Sequence, residues 1–539
     1  MKATLQEILK KHITQDEPFG PSDAALINAN DFETIKTHDY EVLTMMFDPN
    51  NKIAKSLKSK PSIVFGRRGS GKTSCLNSAI TRKEYKIIDI ARSSRVFGAV
   101  IEMMKLLGDG MYFTDTVSDL WEEMLISISL FPRIIETYTS PEKDIDVIRH
   151  YLINFSGVTD TKEVKSFMWS LINSLKRKSV STTDINTAIH VLANFNSISF
   201  EKAATSANNI LLYHKNKAIM LADSFDDYPM KLDKFEHAIS GLLRCVGAFN
   251  KRHENVHLQL CLPTELYHVL KRMSVAPSKD FNYTLILQWH AQELLSIAAH
   301  RLNLYLALYY SAQYTKRKLE NKEVVRQLLD EYLPKRITNG LGMEEDTIAY
   351  ILRHTQLLPR NLVMYFNAIY KISRDIDPNH PYISERAVIE GIMSIEHTLT
   401  EEVCFAYSQV YLNIEKICQQ CIPELPSVFS DSYLHKIFNQ RGKKASGLED
   451  FNKFKDLLTE TGIIGVVIGE TERYIIGRFE YTTPNRLARS VSDNLCLHPV
   501  FAKVYKYKKN ESGTKAIYPY GSDPDGDDYR DICTEVVFT

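Results

Sequence analysis

Residues 66 to 73 of this 539-residue chain read Gly-Arg-Arg-Gly-Ser-Gly-Lys-Thr. The octet meets the pattern G-x-x-x-x-G-K-[ST] at every fixed position, and few short patterns restrict a fold so tightly. Such a loop works only between a buried strand and the start of a helix. Ser62-Ile63-Val64-Phe65 before it is a short apolar run suited to a strand, and Ser74 to Arg82 after it has helix-compatible composition. Gly66, Gly69 and Gly71 let the backbone form a concave nest of N–H donors that side chains would obstruct. Amides beyond Gly71 add the positive end of a helix. The pattern therefore implies a nucleoside triphosphate cradled from Gly66 through Arg67, Arg68, Gly69, Ser70, Gly71, Lys72 and Thr73 to Ser74. Lys72 is expected on the β- and γ-phosphates and the Thr73 hydroxyl on Mg²⁺, with ATP as the expected nucleotide.

A chain this long exceeds one ordinary core, and about three or four domains are expected. Lys plus Arg and Asp plus Glu are equal in number at 66 each, so no overall field draws the chain to nucleic acid or anionic lipid, although a local basic face stays open. No stretch approaches ~18 uninterrupted apolar residues, and the opening Met1-Lys2-Ala3-Thr4-Leu5-Gln6-Glu7 lacks a signal-peptide core. The expectation is a cytoplasmic protein with no membrane segment. Eight cysteines in so long a chain do not form a disulfide framework. Only Cys418 and Cys421 are spaced C-x-x-C, and a zinc site needs more than His435 beside them.

Hydrolysis needs a second strand end bearing acid. Lys217-Ala218-Ile219-Met220-Leu221-Ala222-Asp223-Ser224-Phe225-Asp226-Asp227-Tyr228 supplies one. An apolar run ending in aspartate suits a buried parallel strand that delivers a carboxylate at its C-terminal edge. Asp223 is the metal-side carboxylate, and Asp226 or Asp227 is near enough to act on the attacking water. Tyr85 to Ile90 and Val256 to Leu262 read as further strands, the latter emerging through Pro263-Thr264-Glu265. Together these predict a parallel sheet flanked by helices. Between them, Phe97 to Leu107 and Val117 to Leu130 carry apolar residues near a 3.6 period, with Ser/Thr-rich breaks at Ser179 to Thr183. Residues 92–214 are thus expected to be a helical insertion in the core.

Residues 284–400 read as helical, beginning with Leu285-Ile286-Leu287-Gln288-Trp289. Pro359 suits a first helical turn, and Arg360 emerges beside it. Residues 401–505 fit a winged helix. Ser432 to Asn439 and Phe451 to Glu460 form short helices, and Ile463 to Gly469 and Arg473 to Phe479 form the strands of a wing. Arg441, Lys443 and Lys444 make a local basic cluster.

A Pro-Arg pair opening a lid helix, after a phosphate loop and an acidic strand, resembles the origin-recognition and signal-transducing branches of the AAA+ and STAND ATPases. Tyr481-Thr482-Thr483-Pro484 through Leu495-Cys496-Leu497-His498-Pro499-Val500-Phe501 looks like the end of bacterial STAND-like members, many of them in antiphage defence modules. The resemblance covers most of residues 50–505. It implies an additional-strand P-loop NTPase core with a helical insertion, then an α-helical lid and a winged-helix domain. The corresponding boundaries are a lead segment 1–60, a core 61–283, a lid 284–400, a winged helix 401–505 and an extension 506–539. In additional-strand P-loop ATPases a polar residue at the end of the next strand senses the γ-phosphate. Thr264 best fits that place and Glu265 second. Their lid arginine reaches the phosphates, which here is Arg360, with Arg353 as the weaker alternative. Glutamate commonly positions the water there, so the aspartates of this chain depart from the pattern and suit slow hydrolysis.

The implied function is an ATP-dependent switch that controls homo-oligomerisation or a separate effector protein in antiphage defence. A DNA-handling ATPase that grips duplex through the winged helix is the alternative, and a nucleoside kinase is a third reading disfavoured by the long second half. Arg301, Lys335 and Arg336 remain open for an arginine acting in trans.

Overall fold

A computed structural model describes residues 5–22, 60–72, 84–92, 100–101, 104, 114–156, 198–223, 235–274, 276–281, 283–340, 342–378, 380–408, 410–483, 487–508 and 515–522. Two compact units divide the chain. One contains Lys52–Gly66 and Cys75–Leu287, and the other contains Met1–Asn51, Arg67–Ser74 and Gln288–Glu535.

The first unit is built on a parallel sheet of β1 (Ile63–Gly66), β2 (Ile87–Arg92), β3 (Ala218–Asp223), β4 (Val256–Pro263) and β5 (Thr284–Leu287). Their order is β2-β3-β4-β1-β5, and every pair is parallel. β4 lies between the strand that feeds the phosphate loop and the acidic strand, which is the additional-strand arrangement of a P-loop NTPase core. Every residue of β4 is buried, as expected of a strand covered on both faces. The register sets Gly66 beside Pro263 and Ala222 beside Leu260. The ends of β1, β3 and β4 therefore reach the same carboxyl edge of the sheet, where such folds bind ligands.

Thr284 to Leu287 corrects the helical expectation for residues 284–400. Three apolar residues after Thr284 are too few to show a period, so a buried edge strand and the start of a helix look alike in sequence. The helix that follows starts only at Ala291, where Glu293 accepts the His290 backbone N–H at 3.0 Å.

Between β2 and β3 the described residues outside the short connections are helical. They form α1 (Thr114–Leu125), which continues as one π-helical turn through Leu130, then α2 (Phe131–Thr137), α3 (Glu142–Ser156) and α4 (Ile198–Tyr213). α1 packs on α5 (Phe235–Arg252), and the Trp121 indole donates to the Ala238 carbonyl at 2.8 Å. A Cβ at Gly241 would stand 2.4 Å from Val117 Cγ1, so glycine sets how closely these helices approach. Of Phe97 to Leu107 only residues 100, 101 and 104 are described, and Ser179 to Thr183 lies outside the described residues.

The second unit begins with α6 (Ala291–Tyr309) and α7 (Lys322–Tyr332). A hairpin of β6 (Arg336–Thr338) and β7 (Glu344–Asp346) follows, and then α8 (Thr347–Arg353), α9 (Pro359–Ile376) and α10 (Glu385–Tyr407). α9 and α10 meet closely, since a Cβ at Gly391 would fall 2.7 Å from Ile369 Cα. These helices form the lid. Its sequence reading missed the hairpin and the N-terminal residues that cover it. Phe19 stacks on Phe366 with centroids 4.7 Å apart. Asn367 accepts from the Phe19 N–H at 2.8 Å and donates to the Gly20 carbonyl at 2.9 Å.

The winged-helix domain contains α11 (Ile414–Cys421), β8 (Val428–Ser430), α12 (Asp431–Ile437), α13 (Phe451–Glu460), β9 (Ile464–Glu470), β10 (Tyr474–Arg478), β11 (Asn494–Leu497), α14 (Pro499–Val504) and β12 (Ala516–Pro519). The expected wing is the antiparallel β9–β10 pair. It belongs to a larger sheet of order β12-β10-β9-β11-β8, so part of the C-terminal extension completes this domain. Cys418 and Cys421 are buried in its apolar core with Leu434, Phe454 and Phe501. Among the described residues no helix is long and apolar enough to cross a membrane.

Candidate nucleotide site

The phosphate loop leaves β1 after Gly66. The Ser70 N–H bonds the Arg67 carbonyl at 3.0 Å to form a tight turn. Gly69 and Gly71 have φ of +84° and +86°, a region open to glycine and strained for L side chains. Lys72 Nζ donates to the Arg67 carbonyl at 3.3 Å, so its ammonium lies over the loop it belongs to. Two positive-φ glycines leading into a lysine that lies over a turn of amides form a cradle that fits a polyphosphate, while a Cβ at Gly69 would collide with the Arg360 side chain. Thr73 and Ser74 lie outside the described residues.

The loop is fixed by partners that are distant in sequence. Trp289 Nε1 donates to the Ser70 carbonyl at 2.8 Å. The Arg67 guanidinium donates to both the backbone and side-chain oxygens of Gln356, the former at 3.3 Å, and lies 5.1 Å from the centre of the Tyr481 ring. The Arg68 guanidinium sits 4.8 Å from the centre of the Phe405 ring. Sequence reading placed Arg67 and Arg68 in the cradle as undifferentiated positions and did not find Trp289, Gln356, Tyr481 or Phe405.

Arg360 reaches the loop. Its backbone N–H points to the Gly69 carbonyl at 3.3 Å, and its Cβ would be 2.9 Å from a Cβ added at Gly69. Its Nε also donates to the Ser22 carbonyl at 3.4 Å. The local chain explains the placement. Pro359 occupies the first turn of α9 and holds Leu358 extended, at φ −114° and ψ 136°. Leu357, at φ +50°, turns the chain sharply just before it.

Arg353, the second candidate for the lid arginine, is not available for that role. It is buried and forms a two-point pair with Glu345, Nε at 2.8 Å and Nη2 at 2.9 Å. Glu345 also accepts from the Tyr518 hydroxyl and the Asn339 amide. Arg301 is likewise removed from the trans-acting candidates, because it is buried and donates to the Phe19 carbonyl at 2.7 Å. Burial lowers its pKa to about 10. Lys335 and Arg336 are exposed, and Arg336 pairs with Glu344 at 3.1 Å.

In the sheet unit, Asp223 is the last residue of β3 and is level with Arg92 of β2. Asp226 and Asp227 lie outside the described residues. Thr264 and Glu265, both half-buried, open the 3₁₀ turn Thr264–Leu266 immediately after β4. Gly66, Asp223 and Thr264 thus end or follow neighbouring parallel strands at one edge.

The basic cluster of the winged helix is partly engaged. Arg441 pairs with Glu424 at 2.6 Å, and Lys443 Nζ lies 5.6 Å from the centre of the Phe438 ring. On α13, Lys455 forms a buried pair with Asp431, while Lys453 is exposed.

No family model matches the chain, and no curated protein matches it. Among solved structures the chain is similar to the ORC2 protein of Aeropyrum pernix, in its ADPNP–ADP complexes, at 10% identity. That likeness covers 88% of this chain and 94% of the other, with a TM-score of 0.34.

Proposed function

We propose that this chain is an ATP-binding, slowly hydrolysing molecular switch whose nucleotide state is passed to the lid and winged helix. One observation carries the reading. The backbone of Arg360, at the start of the lid helix, lies on Gly69 of the phosphate loop, so loop occupancy and lid position are physically joined. Bound MgATP supplies the phosphoanhydride bond and the cation that neutralises it. Lys72 stabilises charge developing on the transferred phosphoryl group, and Arg360 adds a second cation from the lid. By the family resemblance, Thr73 and Asp223 would hold the metal, Thr264 would bond the terminal phosphate, and Asp227 or Asp226 would orient water. Control of a homo-oligomer or a separate effector in antiphage defence follows from the family resemblance alone.

A second reading, DNA-stimulated turnover through the winged helix, is favoured by exposed Lys443 and Lys444. Against it, α13 offers one exposed cation, Lys453, because its other lysine is buried on Asp431. So few phosphate contacts give weak, salt-sensitive binding. Phosphate release measured with increasing duplex DNA separates the readings. The switch expects turnover indifferent to DNA, and stimulation that disappears in an Arg441→Ala, Lys443→Ala, Lys444→Ala variant would replace it with the second reading.

A further inference from the structure

Arg67 occupies the first variable position of the phosphate loop, where the nucleotide pattern asks for no side chain. Here the side chain is committed. Its guanidinium takes two oxygens of Gln356 and the face of Tyr481. Gln356 in turn donates through Nε2 to the carbonyls of Thr461 at 3.2 Å and Gly462 at 3.5 Å, at the turn between α13 and β9. Gly462 has φ +70°, and an added Cβ would stand 2.9 Å from the Tyr481 ring and 3.0 Å from Gln356 Nε2. The turn, the amide and the ring therefore close on one another with no room for a methyl group.

We propose that Arg67 is a positioning residue through which the phosphate loop and the winged helix hold each other, and that triphosphate in the loop draws Arg67 off Gln356 and Tyr481. This rests on the switch reading above and names its transmitting residue. The partners of Arg67 are two neutral oxygens and a ring. Phosphate oxygens add a full opposite charge and a fork that matches the guanidinium at two points, which neutral amide oxygens lack. Phosphates arriving beside Arg67 are thus better partners than those it has. Releasing it frees Gln356 and loosens the Thr461–Gly462 turn and the Tyr481 segment.

Hydrogen exchange on the full chain tests this from both ends. Without nucleotide, Gly462→Ala should speed exchange of residues 67–72, and Arg67→Met should speed exchange of residues 461–483, each by about fivefold or more. Tyr481→Phe keeps the ring and should leave the loop as in the unsubstituted chain, whereas Tyr481→Leu should speed it and serves if Gly462→Ala fails to fold. Arg67→Lys keeps the charge but not the two-point contact and should behave as Arg67→Met. In the unsubstituted chain, saturating MgATP should speed exchange of residues 461–483, and Arg67→Met should abolish this response even at an MgATP concentration raised until that variant is saturated, as read by titration with a fluorescent ATP analogue. Far-end exchange unchanged in nucleotide-free Arg67→Met and Tyr481→Leu overturns the proposal. An unsubstituted chain that binds no analogue sinks the switch reading instead, and the nucleotide-free comparisons still decide whether loop and winged helix hold each other.

Discussion

Arg353 and Arg360 lie seven residues apart and both flank the lid turn, yet Arg353 is buried on Glu345 whereas Arg360 lies on Gly69 of the phosphate loop. Arg353→Met tests the assignment. The substitution keeps most of the side-chain volume but removes both charged hydrogen bonds to Glu345, whose side chain is 4% exposed. Breaking a buried ion pair by deleting one partner costs about 3–5 kcal/mol. Glu345 keeps donors from Tyr518 and Asn339, so the lower end applies here. About 3 kcal/mol is roughly a hundredfold in a local opening constant. Hydrogen exchange of Glu344–Asp346 and Ala516–Pro519, the segments tied by Glu345 and Tyr518, should accelerate by that factor. ATP affinity of the folded protein should not change. Arg360→Ala should show the reverse, with near-normal protection of those segments and weakened ATP binding. Unchanged protection in Arg353→Met, or a loss of affinity matching that of Arg360→Ala, would refute the division of roles.

Trp289→Phe leaves the Ser70 carbonyl without its indole donor and should weaken ATP binding about 2- to 13-fold, from the ~0.5–1.5 kcal/mol of a typical net hydrogen bond; a titration with a fluorescent nucleotide reads this. His498 is buried, and burial lowers its pKa from the ordinary 6.5 to about 3. Its Nε2 faces the Thr355 carbonyl at 3.2 Å and its Nδ1 accepts the Val500 N–H at 3.3 Å, an arrangement only the neutral ring satisfies. Between pH 3 and 6.5 the unfolded chain binds a proton here that the folded chain refuses. Its contribution is therefore complete above about pH 6.5 and falls by about 1.4 kcal/mol per unit as the pH drops. Urea unfolding of the winged-helix domain at pH 7 and pH 5 should show this loss, and His498→Asn, which keeps an acceptor for Val500, should reduce it by about one proton.

What the sequence disclosed was what short-range pattern can record. The octet Gly66–Thr73, the apolar run ending at Asp223 and the Pro359-Arg360 pair are each local signals; the sheet order agrees with the strands expected, and the start of the Pro359 helix lies at Gly69. Residues 284–287 differ from the helical expectation because three apolar residues carry no period. Arg353 looked equivalent to Arg360 because nothing local reveals that a carboxylate on β7 turns back to bury one and not the other. The contacts that fix the loop were illegible for a different reason. Trp289 meets Ser70 across 219 residues and Gln356 meets Arg67 across 289, and a single sequence holds no record of such pairings. The N-terminal residues were equally silent. Phe19 and Gly20 gain their meaning only from Asn367, Phe366 and Arg301.

The central claim is that the loop binds ATP and turns it over slowly. The most direct measurement is equilibrium binding of MgATP together with phosphate release, for the purified chain and for Lys72→Ala. The account expects binding with slow, lysine-dependent release, since Lys72→Ala deletes the charge over the transferring phosphoryl group. Absence of binding by the unsubstituted chain, or release that survives the loss of Lys72, would contradict it.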